Sequence, residues 1–182
     1  SHFSLGSGIA SREVYSSERV AHDIAGLLTG SGPSQYFFSP YKGDRFLRQK
    51  LASFLGTKGV RASSGEIQIL SETNQALDFI VTLLVKPGDS VVMEEPVHPD
   101  MYRVMELAGA RILTVPVDED GMNCDVLESL LTQTRPRLIF VNSSFHDPTG
   151  CILSLERRKK LVELSSRYRI PIVEEDAASE LV

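Results

Sequence analysis

The chain has 182 residues, 42% hydrophobic and 24% charged, the balance of a globular protein with one sizeable core. A net charge of −5 excludes a global electrostatic case for nucleic acid or an anionic membrane. Cys124 and Cys151 lack metal-ligand spacing and are too few for a disulfide framework, and no basic-flanked leader or run of membrane-spanning length is present, so a cytoplasmic protein is expected.

Residues 1–16 are rich in Gly and Ser and predict an irregular arm. Over 17–28, Val20, Ile24, Leu27 and Leu28 recur at helical spacing, with Ser16 or Ser17 as N-cap and Gly30 past the end. A loop over 31–34 leads to an aromatic-rich stretch at 36–43. Asp44 caps a second helix, whose Phe46, Leu47, Leu51, Phe54 and Leu55 form an apolar face closed by Gly56. Strands are then expected over 67–70, 90–93, 111–115, 138–141 and 170–173. Helices alternate with them over 74–85, 100–107, 124–131 and 155–168, the last capped by Ser154. This alternation predicts βαβ units and a mostly parallel, doubly wound α/β sheet.

In such sheets ligands lie beyond the carboxyl ends of the strands, so those ends are where chemistry is sought. Ser71, Glu72 and Thr73 open a helix, whose free N–H groups suit an anion, although an ordinary N-cap at Ser71 explains them equally. His98 follows the second strand and is either a ligand or stacking ring or simply an exposed loop histidine. Asp147-Pro-Thr-Gly150 follows the fourth and is good turn chemistry in its own right. Glu174, Glu175 and Asp176 follow the last apolar run, as site carboxylates or as a solvated strand end. Neither a nucleophile elbow nor a GxGxxG or Walker loop occurs, and His22, His98 and His146 are not spaced as metal ligands.

The order of these segments resembles the class I/II, fold-type I pyridoxal-phosphate aminotransferases, most of all the aminotransferase-like domain of the MocR group of GntR-type transcription regulators. Six motifs carry the resemblance. They are Gly43-Asp-Arg-Phe-Leu-Arg48, Ser71-Glu-Thr-Asn-Gln-Ala-Leu77, Pro87-Gly-Asp89 with Glu94-Glu-Pro-Val-His-Pro99, Pro116-Val-Asp-Glu-Asp-Gly-Met122, Pro148-Thr-Gly150 with Leu153-Ser154, and Glu174-Glu-Asp-Ala-Ala-Ser-Glu-Leu181. The resemblance implies an arm and helix over 1–35 and the first part of an aminotransferase-like large domain over 36–182, with the sheet incomplete on its C-terminal side. It also implies pyridoxal 5'-phosphate as cofactor, a homodimer, and an amino acid or its cofactor adduct as small-molecule partner. DNA would be reached only through a separate winged-helix domain.

By the same resemblance, Ser71, Glu72 and Thr73 fall in the phosphate loop and His98 at the ring-stacking aromatic. Asp147 takes the place of the asparagine that donates to the pyridine oxygen, and Glu175 that of the aspartate facing the pyridine nitrogen. Several of these positions depart from the family pattern. Phe38 and Ala178 replace tyrosines, Asp147 replaces a donor with an acceptor, and Glu175 carries one methylene more than Asp, roughly 1.5 Å of reach. Glu72 stands where the phosphate loop has glycine, and a carboxylate about 5 Å from a phosphate costs a few kcal/mol at an effective dielectric near 20. The Schiff-base lysine and two arginines of the family would lie downstream of Val182, so the resemblance implies no catalytic residue and no metal ligand within the chain. Three readings stay open: the effector-binding and dimerisation part of a MocR-type regulator, the N-terminal part of an amino-acid aminotransferase, and a scaffold that has lost the cofactor.

Overall fold

The structure is a computed structural model that describes residues 16–30, 40–177 and 179–181. Phe38 and Ala178, both singled out above, lie outside the described residues. The chain divides into two compact units, Ser1–Ser71 and Glu72–Val182.

In the N-terminal unit, α1 spans Ser17–Gly30 and α2 spans Arg45–Thr57. Ser16 Oγ accepts the Arg19 N–H at 3.3 Å, and Asp44 caps α2 by accepting the Leu47 N–H at 2.8 Å. Gly30 is the last residue of α1 rather than a stop beyond it, and α2 runs one residue past Gly56. The turn after α2 is made at Gly59, whose φ of +82° suits a residue without Cβ.

The expected strand at 67–70 is not formed. A strand needs a neighbour to complete its ladder; here the Ile69 N–H bonds instead to the Lys42 carbonyl at 3.0 Å. Gly43, at φ +86°, lies so close to the Ile69 side chain that a Cβ would meet it at 2.4 Å.

The C-terminal unit holds the sheet. Its helices are α3 (Thr73–Leu84), α4 (Pro99–Leu107), α5 (Cys124–Gln133) and α6 (Leu155–Tyr168). Its strands are β1 (Ser90–Glu95), β2 (Arg111–Asp118), β3 (Gly121–Met122), β4 (Ile139–Asn142) and β5 (Ile172–Glu175), in the order β3-β2-β1-β4-β5. All neighbours are parallel except β2 and β3, a short antiparallel pair that the sequence pattern did not predict. Mostly parallel, with helices on both faces, this is the expected α/β class.

Alternation along the strands sends side chains to two cores. Val92, Val115, Ile139 and Val141 pack with Leu127 and Leu131 of α5 and Leu161 and Leu164 of α6. Val91, Met93, Leu138 and Phe140 pack with Leu77 and Val81 of α3 and Met101 and Met105 of α4. Each fully buried aliphatic side chain contributes about 1.5–3 kcal/mol by leaving water, which fixes the helices against the sheet. Because β1 leads to β2 on one side and lies beside β4 on the other, the strand order switches between β1 and β4. Their carboxyl ends open there.

β5 is displaced by two residues from the expected 170–173. Ile170 belongs to the turn after α6, its N–H bonded to Ser165 O, while Asn142 pairs with Glu175 across β4 and β5. Glu174 and Glu175 are therefore strand residues, not a tail beyond the strand.

Candidate functional site

At the switch point a cleft of about 260 Å³ is lined by Glu72, Thr73, Asn74, His98, Asp100, Met101, Asp147 and Glu175. Each side is set by a local sequence feature. The rim nearest α3 is its N-terminus, where the first backbone N–H groups of any helix lack intrahelical partners. Glu72, with extended backbone, is the N-cap of α3, which corrects the expectation that Ser71 caps it. Ser71 is exposed and ends the N-terminal unit.

The second side is the β1–α4 connection, with a cis Glu95–Pro96 bond, and His98 is the N-cap of α4. His98 Nδ1 accepts the Asp100 N–H at 3.3 Å, leaving Nε2 facing Asp147 Oδ2 at 3.8 Å. Asp147 lies in the turn after β4, before a second cis proline bond.

The floor is β5. Glu175 is partly buried, and its Oε2 accepts the Asn142 Nδ2–H at 2.7 Å. Burial pushes the Glu175 carboxyl above the usual range; His98 opposes this, and Asp147 adds to it. Glu174 serves the other face, as strand alternation requires. It accepts from Ser143 Oγ and lies 3.4 Å from the Arg158 guanidinium.

The fold thus brings together Glu72, Thr73, His98, Asp147 and Glu175, five of the six residues the sequence singled out. Behind them is a group that sequence reasoning missed. Glu94, at the end of the apolar run of β1, is buried and accepts the Asn142 N–H at 2.7 Å. His146 is buried beside it, with Nε2 3.6 Å from Glu94 Oε2 and Nδ1 2.8 Å from Thr149 Oγ1. An acid that follows Val91-Val-Met93 directly, on a strand buried on both faces, is the signal that could have found it.

The lining could take a flat ring with a cationic nitrogen at one end and an anion at the other. Glu175, held by Asn142, could meet the first, the α3 N-terminus could offer N–H groups to the second, and His98 adds an aromatic ring to the lining. Glu72 is the element that fits least well, a carboxylate at the anion end. Among the described residues no cluster of three or more His, Cys, Asp or Glu could hold a metal ion, and no helix is long and apolar enough to cross a membrane.

A mostly parallel sheet with helices on both faces and a cleft at its switch point defines the α/β class to which fold-type I aminotransferases belong. The family model for class I and II aminotransferases matches residues 3–180, and the chain belongs to that family. It is 32% identical over 178 residues to the 2-aminoadipate transaminase of Thermus thermophilus, covering 98% of this chain and 44% of the enzyme. It is 35% identical over 137 residues to the probable rhizopine catabolism regulatory protein MocR of Rhizobium meliloti, covering 74% of this chain and 27% of the regulator. Among solved structures, the alpha-aminoadipate aminotransferase LysN of Thermus thermophilus, complexed with N-(5'-phosphopyridoxyl)-L-leucine, superposes with a TM-score of 0.86 at 32% identity. That superposition covers 95% of this chain and 43% of the enzyme. The chain spans less than half the length of these relatives.

Proposed function

We propose that this chain is the effector-binding and dimerisation part of a MocR-type transcription regulator, taking pyridoxal 5'-phosphate or its amino-acid adduct in the cleft without catalysing transamination itself. The cleft at the β1–β4 switch point, with Glu175 held by Asn142, is the observation that carries this reading. In it, residues 1–35 are an arm and helix, and residues 36–182 are the first part of the large domain of a homodimeric cytoplasmic protein. The free thiols Cys124 and Cys151 suit that compartment. DNA contact belongs to a separate winged-helix domain.

When bound, pyridoxal phosphate supplies an electron sink for the α-carbon of an amino acid. The chain's own residues bind and orient. The Glu175 carboxylate would accept from the protonated ring nitrogen, Asn142 would keep that carboxylate aimed, and His98 would cover one ring face. The Thr73 hydroxyl and the first N–H groups of α3 would receive the phosphate, with Ser71 leading into that loop. Asp147 would face the ring oxygen as an acceptor, and Glu72 would weaken the phosphate end. Similarity to a regulator at 35% identity and the departures at Glu72, Asp147 and Glu175 both favour a binding role over turnover.

A second reading, the N-terminal part of an amino-acid aminotransferase, is favoured by one observation: the transaminase aligns over 98% of the chain, the regulator over 74%. Glu72 at the anion end supports a third, a scaffold that has lost the cofactor. Titration of the full protein with pyridoxal phosphate, followed by visible absorption and fluorescence, is the test. Saturable micromolar binding without turnover of any amino acid supports the proposal, turnover supports the enzyme, and no binding leaves the scaffold.

A further inference from the structure

Among the described residues the buried polar or charged side chains are Glu94, Ser143 and His146. Ser143 bonds to Glu174 on the other face, while Glu94 and His146 join the Asn142–Glu175 pair that borders the cleft. Two buried oxygens there, Glu94 Oε1 and Asn142 Oδ1, have no hydrogen-bond partner. The contacts form one chain of groups. Thr149 Oγ1 meets His146 Nδ1, His146 Nε2 faces Glu94 Oε2, Glu94 Oε2 accepts the Asn142 N–H, and the Asn142 amide donates to Glu175. Residues from β1, β4, β5 and the turn that carries Asp147 are thereby tied together.

We infer that Glu94 is a positioning residue for the cleft: fixed between His146 and the Asn142 backbone, it sets through its own protonation the negative charge that the Glu94–Glu175 pair presents to a ligand. Burial pushes the Glu94 carboxyl up to about 7; the Asn142 N–H opposes that rise and the nearby Glu175 charge adds to it. His146 is held below its usual range by burial, with Asp147 opposing, so the pair favours a neutral imidazole beside a carboxyl that titrates near neutrality. The other charged groups acting on Glu175 are His98, Asp147 and Asp176. A protonated Glu94 gives the orphaned Oε1 a hydrogen to donate. An ionised Glu94 places a second negative charge near Glu175, which favours a cationic ring and raises the Glu175 carboxyl further.

The test uses the full protein labelled with ¹³C in its glutamate carboxyls and titrated by NMR from pH 5 to 9. Wild-type Glu175 is expected to show a second inflection near pH 7 whose midpoint coincides with that of Glu94. Glu94→Gln keeps the shape and the acceptor for Asn142 but does not ionise, so the inflection disappears while the circular dichroism is unchanged. Should that variant not fold, the coincidence of the two wild-type midpoints decides. A Glu175 resonance without an inflection between pH 6 and 8, or one that persists in Glu94→Gln, overturns the inference. A second arm rests on the proposed cofactor reading: between pH 6 and 8, pyridoxal phosphate affinity should rise about threefold more in wild type than in Glu94→Gln. If the cofactor binds neither protein, that reading fails, and the NMR arm still decides the role of Glu94.

Discussion

Asn142 and Glu175 are 33 residues apart in the chain, and the Asn142 Nδ2–H donates to Glu175 Oε2 at 2.7 Å. The register of β4 against β5 makes this contact, because the two residues are Cα partners at the ends of adjacent parallel strands. One carboxylate on the floor of the cleft is thus aimed by the side-chain amide of the neighbouring strand rather than by its own rotamer preferences.

Replacing Asn142 with Ala removes the amide donor to that carboxylate and also the orphaned Asn142 Oδ1. The two effects oppose, so the expected loss is modest, about 1 kcal/mol. The Glu175 carboxyl should move further up, because the bond favours its ionised form. Denaturant unfolding and an NMR titration of Glu175 measure the two quantities.

The pH dependence of stability follows from Glu94. Its folded value of about 7 lies above the ordinary 4.5, so its contribution is fully present below pH 4.5 and is lost as pH rises through 7. The raised Glu175 carboxyl acts in the same direction. His146 acts oppositely: its lowered value costs stability as pH falls below 6.5. Glu94→Gln abolishes the first component, so its stability relative to wild type should increase between pH 5 and 8 by on the order of 3 kcal/mol. Urea denaturation at each pH is the measurement; a constant difference would contradict the assignment.

Gly121 is a strict steric requirement of the β2–β3 turn. Its φ is +91°, and a Cβ there would lie 2.7 Å from Leu153 Cδ1 and 2.8 Å from Leu153 Cα. Gly121→Ala should destabilise by roughly 2–4 kcal/mol, since backbone strain and overlap with another backbone add. The thermal midpoint should drop accordingly, while Gly150→Ala, whose added Cβ meets nothing within 4 Å, should show the smaller cost of its φ of +75° alone.

Glu72 is the N-cap of α3 and lines the cleft. If the helix N-terminus receives phosphate, Glu72→Gly removes a like charge and should raise affinity for pyridoxal phosphate on the order of tenfold. Glycine is acceptable at an N-cap, so the helix should lose only a few tenths of a kcal/mol. Isothermal titration at low and high salt measures both the gain and its electrostatic origin.

Local chemistry alone makes much of this protein legible. Asp44 and Ser154 cap their helices as read, because a short acceptor side chain acts within three residues of itself. The apolar runs at 90–93 and 138–141 lie in the sheet because a strand buried on both faces admits little else. The motif series located five residues that share one cleft.

What the sequence left open depends on partners distant in the chain. Residues 67–70 have strand composition, but a ladder exists only where a second backbone lies alongside. β5 begins two residues later than its apolar run because pairing with β4, not hydropathy, sets its register. The buried cluster of Glu94, Asn142 and His146 joins residues from separate strands and a turn, and burial is what turns an ordinary glutamate into one that titrates near neutrality. The sequence by itself determined the helices, the buried strands of the sheet centre and where ligands would be sought. Only the tertiary structure decided which polar groups face one another in a low dielectric, because desolvation and Coulomb energy depend on distance in space and not on separation along the chain.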